Sequence, residues 1–370
     1  LDTSSIGGNL TLTSGAAAGI TDSGTVTVTG DLAATTDDGN GVIDMDQLAV
    51  GGSIALDTNG NGAATVVNTA AIEFAASTVR GALTATATTG DITDSGTLTI
   101  TGASIFTTRV GGSNIVLDSS ANAFAAAVTM KADTGGDETF GNITFVDSAA
   151  VKLHSSAGTN GDLFIDAGTD LAVGGNLSIT ATTGNITQGS EVAVGGTTTL
   201  VTSANDATIT LNDADNAFTG ALTITTNDNS GTDAAVIIDG GTTALIIAAS
   251  TIDGNLTLTS GATAGITDSG TVTVGGDLAA TTDAGNGVID MDTLAVDGSI
   301  ALVTDGNGAA TVVNDAGIEF AASTVRGALT ATATTGDITD SGTLTITGAS
   351  IFTTRVGGSN IVLDSSANAF

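Results

Sequence analysis

The sequence predicts an all-β protein that folds as a parallel β-helix, or β-solenoid, with roughly 20 to 22 residues per coil. Three observations support this: a long block recurs almost unchanged, glycine-led phrases recur at the length of one coil, and short segments alternate polar with aliphatic residues. There is no sustained apolar period of about 3.6 residues, the mark of an amphipathic helix. We predict one continuous β-solenoid over residues 1–370.

The long block sets the domain organisation. Residues 5–124 align without a gap to residues 251–370 at an offset of 246, differing at 11 of 120 positions. We therefore predict that 1–124 and 247–370 are copies of a 246-residue super-repeat, and that 125–246 is the rest of that period. An open stack of coils tolerates such duplication, whereas a closed barrel or sandwich does not. The length predicts roughly 17 coils.

Glycine marks the finest spacing. Gly8, Gly30 and Gly52 stand 22 residues apart, the length of one coil. Segments such as residues 97–101, Thr-Leu-Thr-Ile-Thr, alternate as half-buried strands do. Clusters such as residues 38–41, Asp-Gly-Asn-Gly, predict turns with positive φ. The absence of proline fits, because a coil paired above and below needs its N–H donors.

A stretch at residues 89–102, repeated verbatim 246 residues later, predicts side-chain orientation within one coil. Its alternation places aliphatic residues in the core and threonines in water. The predicted core residues are Ile92, Leu98 and Ile100, and the predicted outward residues are Thr97, Thr99 and Thr101.

The charge of the chain limits its partners. It has 39 acidic residues against six Lys or Arg, a formal net charge of −33. This charge repels nucleic-acid phosphates and anionic membrane surfaces, so we expect no nucleic-acid partner. The acidic residues are scattered singly among Gly, Thr and Ser, which is typical of a solvated surface. Cation binding is the alternative.

Cysteine is absent, which excludes disulfides, thiol chemistry and zinc-thiolate sites. No apolar run approaches the roughly 18 residues of a membrane span, so we expect no membrane insertion of this region. The chain opens with Leu1-Asp2-Thr3-Ser4, neither an initiator Met nor a signal peptide, and we expect that a preceding segment has been removed.

The tetrapeptide Asp-Ser-Gly-Thr is the pattern with which aspartic proteases present a catalytic carboxylate. It begins at Asp22, Asp94, Asp268 and Asp340, and a degenerate form begins at Gln188. A protease needs two such carboxylates about 3 Å apart, whereas solenoid copies three coils apart lie roughly 15 Å from each other. Thr precedes each Asp where the protease pattern has an apolar residue, and the chain has no tyrosine for a flap. We therefore predict turns in which Asp and Ser cap backbone amides and Gly provides the bend.

A calcium loop is a second candidate site. Asp57, Asn59 and Asn61 are spaced like the first ligands of an EF-hand loop and are followed by glycine. Position twelve, however, is Asn68 rather than a bidentate Glu, and Asp57 becomes Val303 in the second copy. We interpret the segment as turn chemistry and predict no cofactor, with calcium at acidic turns as the weaker alternative.

An enzyme site would need clustered carboxylates, basic residues and aromatic platforms for sugar rings. His154 is the only histidine, and it occurs with Lys131 and Lys152 in the non-duplicated segment, where alternation predicts that Lys152 and His154 point outward. The chain has neither Trp nor Tyr. We predict no enzyme and no catalytic residue.

The ten phenylalanines recur in fixed phrases, which predicts inward stacking at coil corners rather than a binding stripe. The asparagines of the Asn-Ala-Phe phrase are predicted turn residues, with stacked amides as an option. These phrases place phenylalanine at Phe74, Phe106, Phe124, Phe218, Phe320, Phe352 and Phe370, and asparagine at Asn122, Asn216 and Asn368.

The phrases Gly-Asn-Leu-Thr-Leu-Thr, Gly-x-Ile-Thr-Asp-Ser-Gly-Thr-Leu-Thr-Ile and Gly-Ser-Asn-Ile-Val-Leu-Asp-Ser-Ser-Ala-Asn-Ala-Phe resemble the beta strand repeats of very large bacterial exoproteins. These arrays are similar to filamentous haemagglutinin and autotransporter adhesins. The resemblance covers nearly the whole chain and is weakest at residues 125–174. It implies a right-handed parallel β-helix that is exported across the cell envelope, and it carries over no catalytic residue.

We expect the structural or adhesive repeat region of a giant secreted surface protein that forms a rigid extracellular fibre. Its partners would be other copies of itself, through end-to-end or lateral contacts, or receptors on a host or neighbouring cell. A self-assembling filament or matrix protein is the alternative, and a carbohydrate-active β-helix is a less favoured one.

Overall fold

The computed structural model describes residues 1–132, 141–154, 162–165, 171–227 and 234–370. Two compact units are present, Leu1–Thr183 and Gly184–Phe370. Both are β-solenoids of parallel strands, with about 15 turns in total and about 22 residues per turn. Within the described ranges no residue is helical, and accordingly no helix there could cross a membrane.

The strands are short, and they follow one another at intervals of a few residues. In the described part of the first unit they are β1 Ser4–Ile6, β2 Leu10–Ser14, β3 Ile20–Thr21, β4 Val26–Val28, β5 Leu32–Thr36, β6 Ile43–Val50, β7 Ser53–Asp57, β8 Ala64–Asn68, β9 Ile72–Phe74, β10 Ser77–Val79, β11 Leu83–Ala87, β12 Ile92–Asp94, β13 Leu98–Ile100, β14 Ser104–Thr108, β15 Ile115–Leu117, β16 Ala123–Phe124, β17 Val128–Ala132, β18 Ile143–Asp147, β19 Val151–His154, β20 Asp162–Ile165, β21 Leu171–Val173 and β22 Leu177–Ala181. In the described part of the second they are β23 Ile186–Gln188, β24 Val192–Val194, β25 Thr198–Thr202, β26 Ile209–Leu211, β27 Ala217–Phe218, β28 Leu222–Thr225, β29 Val236–Asp239, β30 Leu245–Ile247, β31 Ser250–Ile252, β32 Leu256–Ser260, β33 Ile266–Asp268, β34 Val272–Val274, β35 Leu278–Thr282, β36 Ile289–Val296, β37 Ser299–Val303, β38 Ala310–Asn314, β39 Ile318–Phe320, β40 Ser323–Val325, β41 Leu329–Ala333, β42 Ile338–Asp340, β43 Leu344–Ile346, β44 Ser350–Thr354 and β45 Ile361–Val362.

The coils of the first unit contribute to two sheets, which we name sheet A and sheet B. Sheet A includes β3, β4, β6, β8, β11, β14 and β17, and sheet B includes β2, β5, β7, β9, β10, β12, β13, β15 and β18. In the early coils sheet B receives one long strand, such as β5, and sheet A receives two short strands, β3 and β4, on either side of an Asp-Ser-Gly corner.

The two sheets exchange these roles at one level of the stack, which we call the register switch. Both halves of β6 lie under the single strand β8, with Ile43 opposite Ala64 and Leu48 opposite Asn68 across an irregularity. On the other sheet, the long strand β7 pairs with two short strands, β9 and β10. Above this level the Asp94 corner lies in sheet B.

The second unit contains the same switch. Strand β38 lies over both halves of β36, with Ile289 opposite Ala310 and Leu294 opposite Asn314, and β37 carries β39 and β40. Each near-identical segment thus folds in the same way in its own unit.

The core follows the predicted alternation. Ile92, Leu98 and Ile100 are at most 1% exposed, and Thr99 between them is exposed. The predicted 22-residue spacing is confirmed, since Gly30 donates its N–H to the carbonyl of Gly8, and Gly52 donates to Gly30. Aliphatic side chains therefore stack into continuous ladders, which bury apolar surface only in contact with neighbouring coils.

Glycine serves two purposes in the turns. Gly39 and Gly60 have φ of 62° and 60°, the left-handed conformation that the Asn-Gly clusters predict. Gly96 in the Asp-Ser-Gly corner differs, because a Cβ there would lie 2.4 Å from the backbone nitrogen of Ala76 in the neighbouring coil. Its role is to allow close stacking rather than a positive φ.

The prediction of roughly 17 coils is too high because the non-duplicated segment has longer coils. Asn142 donates its N–H to Asn114, 28 residues before it, and Asn176 donates to Asn142, 34 residues before it. Each turn in this segment therefore contains more residues, so the chain forms fewer turns than its length predicts.

Above the register switch, sheet A presents an outward surface that we name the threonine face. Strands β8, β11, β14 and β17 are in register, and the inward residues between the outward positions, such as Val66 and Phe106, are fully buried. The outward residues are Thr65, Val67, Thr84, Thr86, Ile105, Thr107, Thr129 and Lys131.

Candidate functional site: the Asp-Ser-Gly corners

The four Asp-Ser-Gly-Thr corners do not converge on one site within a unit. Asp22 follows β3 in sheet A, whereas Asp94 ends β12 in sheet B, beyond the register switch. Asp268 and Asp340 are likewise in different sheets of the second unit. No carboxylate pair of the protease type is formed by these residues within either unit.

The Asp94 carboxylate instead binds the coil above it. Oδ1 accepts the backbone N–H of Asp118 at 2.8 Å, and Oδ2 accepts that of Ser119 at 3.3 Å. Oδ2 also accepts a hydrogen bond from Nδ2 of Asn122 at 2.7 Å. The side chain therefore satisfies three donors at a bend where the strand ladder is interrupted.

The other three corners repeat this contact. In each, the Asp accepts backbone N–H groups from the residues 24 and 25 positions later. The donors are Asp46 and Gln47 for Asp22 at 3.2 and 3.0 Å, Asp292 and Thr293 for Asp268 at 3.1 and 2.8 Å, and Asp364 and Ser365 for Asp340 at 2.9 and 3.3 Å. The predicted capping of backbone amides by Asp is correct, and the capped amides belong to the next coil.

The degenerate corner uses a neutral side chain for the same purpose. Oε1 of Gln188 accepts the N–H of Asp213 at 3.3 Å and the side-chain amide of Asn216 at 3.1 Å. Its Nε2 donates to Oδ1 of Asn216 at 2.9 Å. A side-chain oxygen facing the next coil is the shared requirement, and a negative charge is not.

Burial affects the electrostatics of the corners. Desolvation raises the pKa of Asp94, against the lowering effect of its hydrogen bonds with Asn122, Asp118 and Ser119. Desolvation also raises the pKa of Asp290, with smaller contributions from the negative charges of Asp292 and Asp268. Burial therefore makes the carboxyls of Asp94 and Asp290 harder to ionise.

The predicted turn residues Asn122, Asn216 and Asn368 belong to this network. Asn122 and Asn216 are at most 1% exposed, and each accepts the N–H of a strand residue in the coil below, Leu98 and Val192 respectively, at 2.8 Å. Asn368 accepts the N–H of Leu344 at 2.8 Å. They pair with the corner side chains and do not form a ladder of stacked amides with one another.

A second group of polar side chains, which sequence reasoning missed, fills the register switches. Asn68, which is fully buried, accepts the N–H of Val50 at 2.8 Å and donates to the carbonyls of Val50 and Ala71 at 3.0 and 2.7 Å. Asn314 makes the same contacts with Val296 and Gly317. The sequence signal that could have revealed these residues is an asparagine at the last position of a long strand.

Asp147 occupies the corresponding place at the end of β18. It is 2% exposed and accepts the N–H of Phe124 at 3.3 Å, with further hydrogen bonds from Ser148 and Ala149. Desolvation raises its pKa, and the three hydrogen bonds lower it. A titratable carboxyl thus lies at the end of β18, where β8 and β38 end in an asparagine.

The residues of the candidate calcium loop do not share a site. Asp57 forms an ion pair with Arg80 at 3.0 Å, Asn59 donates to the carbonyl of Asp37 at 2.9 Å, and Asn68 lies in the register switch. Among the described residues, no group of three or more His, Asp or Glu side chains is arranged to hold a metal ion.

The remaining candidate residues are Lys152, His154 and the phenylalanines. The side chains of Lys152 and His154 lie outside the described part of the structure. Among the phenylalanines of the fixed phrases, five are buried as predicted, namely Phe74, Phe106, Phe124, Phe218 and Phe320. Phe74 and Phe106 contact each other edge to face at 6.3 Å between ring centroids. Phe370, in the last coil, differs in being 61% exposed.

One surface depression in the second unit gathers carboxylates. Asp297, Glu319 and Asp337 line it together with small and aliphatic residues. No aromatic ring and no basic group lines this depression, and Asp337 accepts the N–H of Asn360 at 2.6 Å in the next coil. In the first copy the position of Asp297 is Gly51. The depression lacks the platform that a sugar ring needs.

The comparisons with known proteins agree with the repeat architecture. A family model described as Repeats of unknown function (DUF5649) matches residues 61–131, 140–225 and 306–370, which is more than half of the chain. No curated protein and no solved structure matches the chain.

Proposed function

The chain belongs to the family described as Repeats of unknown function (DUF5649), and we propose that it is a structural shaft. In this proposal it forms a repeat region of a large secreted surface protein and extends as a rigid fibre for adhesion. The observation that supports the proposal is the hydrogen bonding of the corner carboxylates to the next coil. Each Asp of an Asp-Ser-Gly-Thr corner binds two backbone amides of the next coil.

A load-transmitting fibre requires side chains that join each coil to the next, and the corner Asp does so in every copy. The stability of a solenoid is a sum of coils and of interfaces between neighbouring coils, so bonds between coils set its resistance to unfolding. The net charge of −33 supports a solvated exterior that repels other copies over most of its surface. The resemblance to bacterial exoprotein repeats adds the cell-surface location to the proposal.

The location can be tested with an antibody raised against residues 1–370. We expect labelling of intact producing cells and of the material that they release, and loss of the label after external protease. Detection only after the cells are lysed would contradict the proposed surface fibre.

A further inference from the structure

The turn between β7 and β8 brings two groups together that can react with each other. Asn59 is followed by Gly60, and Gly60 donates its backbone N–H to the side-chain oxygen Oδ1 of Asn59 at 2.7 Å. The carbonyl carbon Cγ of Asn59 is bonded to that oxygen, so a nucleophilic nitrogen lies beside an electrophilic carbon. Holding two reacting atoms close together is a main source of rate in an intramolecular reaction.

The fold keeps this pair in place and accessible to water. The Asn59 side chain is anchored, because its Nδ2 donates to the carbonyl of Asp37 in the preceding coil at 2.9 Å. Gly60 is exposed, and its φ of 60° is the left-handed conformation that favours glycine. A Cβ at this position would lie 2.2 Å from Oδ1 of Asn40. The stacked turn therefore requires glycine, and no side chain shields the nitrogen.

We propose that Asn59 is a site of spontaneous deamidation through a cyclic imide. The backbone nitrogen of Gly60 loses its proton and attacks Cγ of Asn59, and the side-chain amide takes up a proton and leaves as ammonia. Water then opens the succinimide ring. Cleavage of the newly formed bond gives aspartate, and cleavage of the original peptide bond gives isoaspartate. Either route consumes one water and releases one ammonia.

The second copy of the super-repeat has the aspartate product in its sequence. The residue equivalent to Asn59 is Asp305, and Gly306 after it has a φ of 58°. Strands β37 and β38 on either side have the same lengths as β7 and β8. The coil therefore accepts a carboxylate at this position. Isoaspartate differs, because it adds an atom to the main chain of a turn that stacks on its neighbour.

The reaction removes a contact between two coils. An ionised carboxylate only accepts hydrogen bonds, so neither product can donate to the carbonyl of Asp37 as Asn59 does. Deamidation thus weakens one coil interface of the first unit and leaves the second unit unchanged.

The other described asparagines that precede glycine are arranged differently; they are Asn40, Asn61, Asn286 and Asn307. Oδ1 of Asn40 and of Asn286 accepts the N–H of the residue 21 positions later, in the next coil, at 2.8 Å. After Asn61 and Asn307 the glycine is buried, and its N–H donates to the backbone carbonyl three residues earlier at 3.0 and 2.9 Å. Asn59 should therefore react first among these residues in the folded chain.

Peptide mapping by tandem mass spectrometry measures the reaction at each asparagine of the purified full chain. Incubation at mildly alkaline pH favours loss of the backbone proton, and an isoaspartyl methyltransferase labels the isoaspartate product. In the folded chain we expect Asn59 to react at least several-fold faster than Asn61. In urea the two residues should react at similar rates, because the fold is the source of the difference.

Transfer of the site to the second unit provides an independent test. Asp305→Asn restores the sequence Asn-Gly-Asn-Gly in the equivalent turn, and position 305 should then deamidate about as fast as Asn59. Asn59→Asp installs the residue of the second copy, and it should remove the fast release of ammonia. Circular dichroism of each variant verifies that the coil fold is kept.

Two results would overturn the proposal. One is an equal or slower rate at Asn59 than at Asn61 in the folded chain, and the other is no reaction at position 305 of Asp305→Asn. The assay uses purified chain, so its outcome is separate from the cellular location proposed above.

Discussion

Asn122 donates a hydrogen bond from its side-chain amide to a carboxylate oxygen of Asp94, 28 residues earlier in the chain, at 2.7 Å. The same pair recurs between Asn368 and Asp340 at 2.6 Å, and a neutral version joins Asn216 and Gln188. Side chains from consecutive coils thus close these three corners, where the backbone ladder alone leaves donors without partners.

Removing the Asp94 carboxylate should destabilise the first unit. Asp94→Ala leaves the N–H groups of Asp118 and Ser119 and the amide of Asn122 without an acceptor, and we expect a loss of about 2 to 4 kcal/mol in unfolding free energy. Urea denaturation measures it. Ser95→Ala in the same corner is the control, because that hydroxyl makes only a 3.5 Å contact with the carbonyl of Phe74. Equal effects of the two substitutions would contradict the assignment.

The register switch should depend on its buried asparagine. Asn68→Ala leaves the N–H of Val50 and the carbonyls of Val50 and Ala71 unpaired, and about 2 to 4 kcal/mol of stability should be lost. Asn314→Ala is the matched variant in the second unit, and it should destabilise that unit by a similar amount. Thermal unfolding gives the midpoint of each variant. Amide hydrogen exchange then reports the stability of each unit separately. An unchanged midpoint in both variants would show that the switch does not need the amide.

Thr198→Val should stabilise the second unit. The Thr198 hydroxyl is fully buried and has no hydrogen-bond partner, and its strand position faces Leu222 in the next coil. Replacing an unpaired buried hydroxyl by a methyl group of similar shape should add about 1 kcal/mol. Thr199→Val, at the neighbouring outward position, is the control and should change stability little. A lower melting temperature for Thr198→Val than for the wild type would refute the prediction.

Mild acidification should stabilise the chain, the reverse of ordinary acid denaturation. Burial raises the pKa of Asp94, Asp147, Asp239 and Asp290 in the folded state. The folded state then holds these protons more tightly than the unfolded state, so stability falls as the pH rises from the unfolded pKa through the folded pKa. Melting temperatures between pH 7 and about pH 4 should increase as the pH falls.

Asp147→Asn tests the contribution of one carboxyl to this trend. The substitution installs the asparagine that Asn68 and Asn314 provide in the two register switches, and it removes the titration. The stability of the wild type relative to Asp147→Asn should therefore decrease as the pH rises. A constant difference across that range would exclude Asp147 as a source of the pH dependence.

The coil, the strands and the inward residues could be predicted because they follow from local alternation and from glycine spacing. The register switch could not, since the phrase around Asp22 and the phrase around Asp94 are nearly the same and yet lie in different sheets. The sheet is set by the whole path between them, including the irregular strand β6 and the buried Asn68. The partner of each corner Asp was also hidden, because it lies 24 or 25 residues away and is a backbone N–H group, which every residue type except proline carries.

Amide hydrogen exchange at Asp118 and Ser119 tests the central claim most directly, namely that the corner aspartates are structural bonds between coils. Both amides lie outside the strands, and in the wild type they should nevertheless exchange slowly, as strand amides do. In Asp94→Ala both should exchange about tenfold faster or more, which corresponds to at least about 1.4 kcal/mol of local stability. Rapid, loop-like exchange of both amides in the wild type would contradict the account.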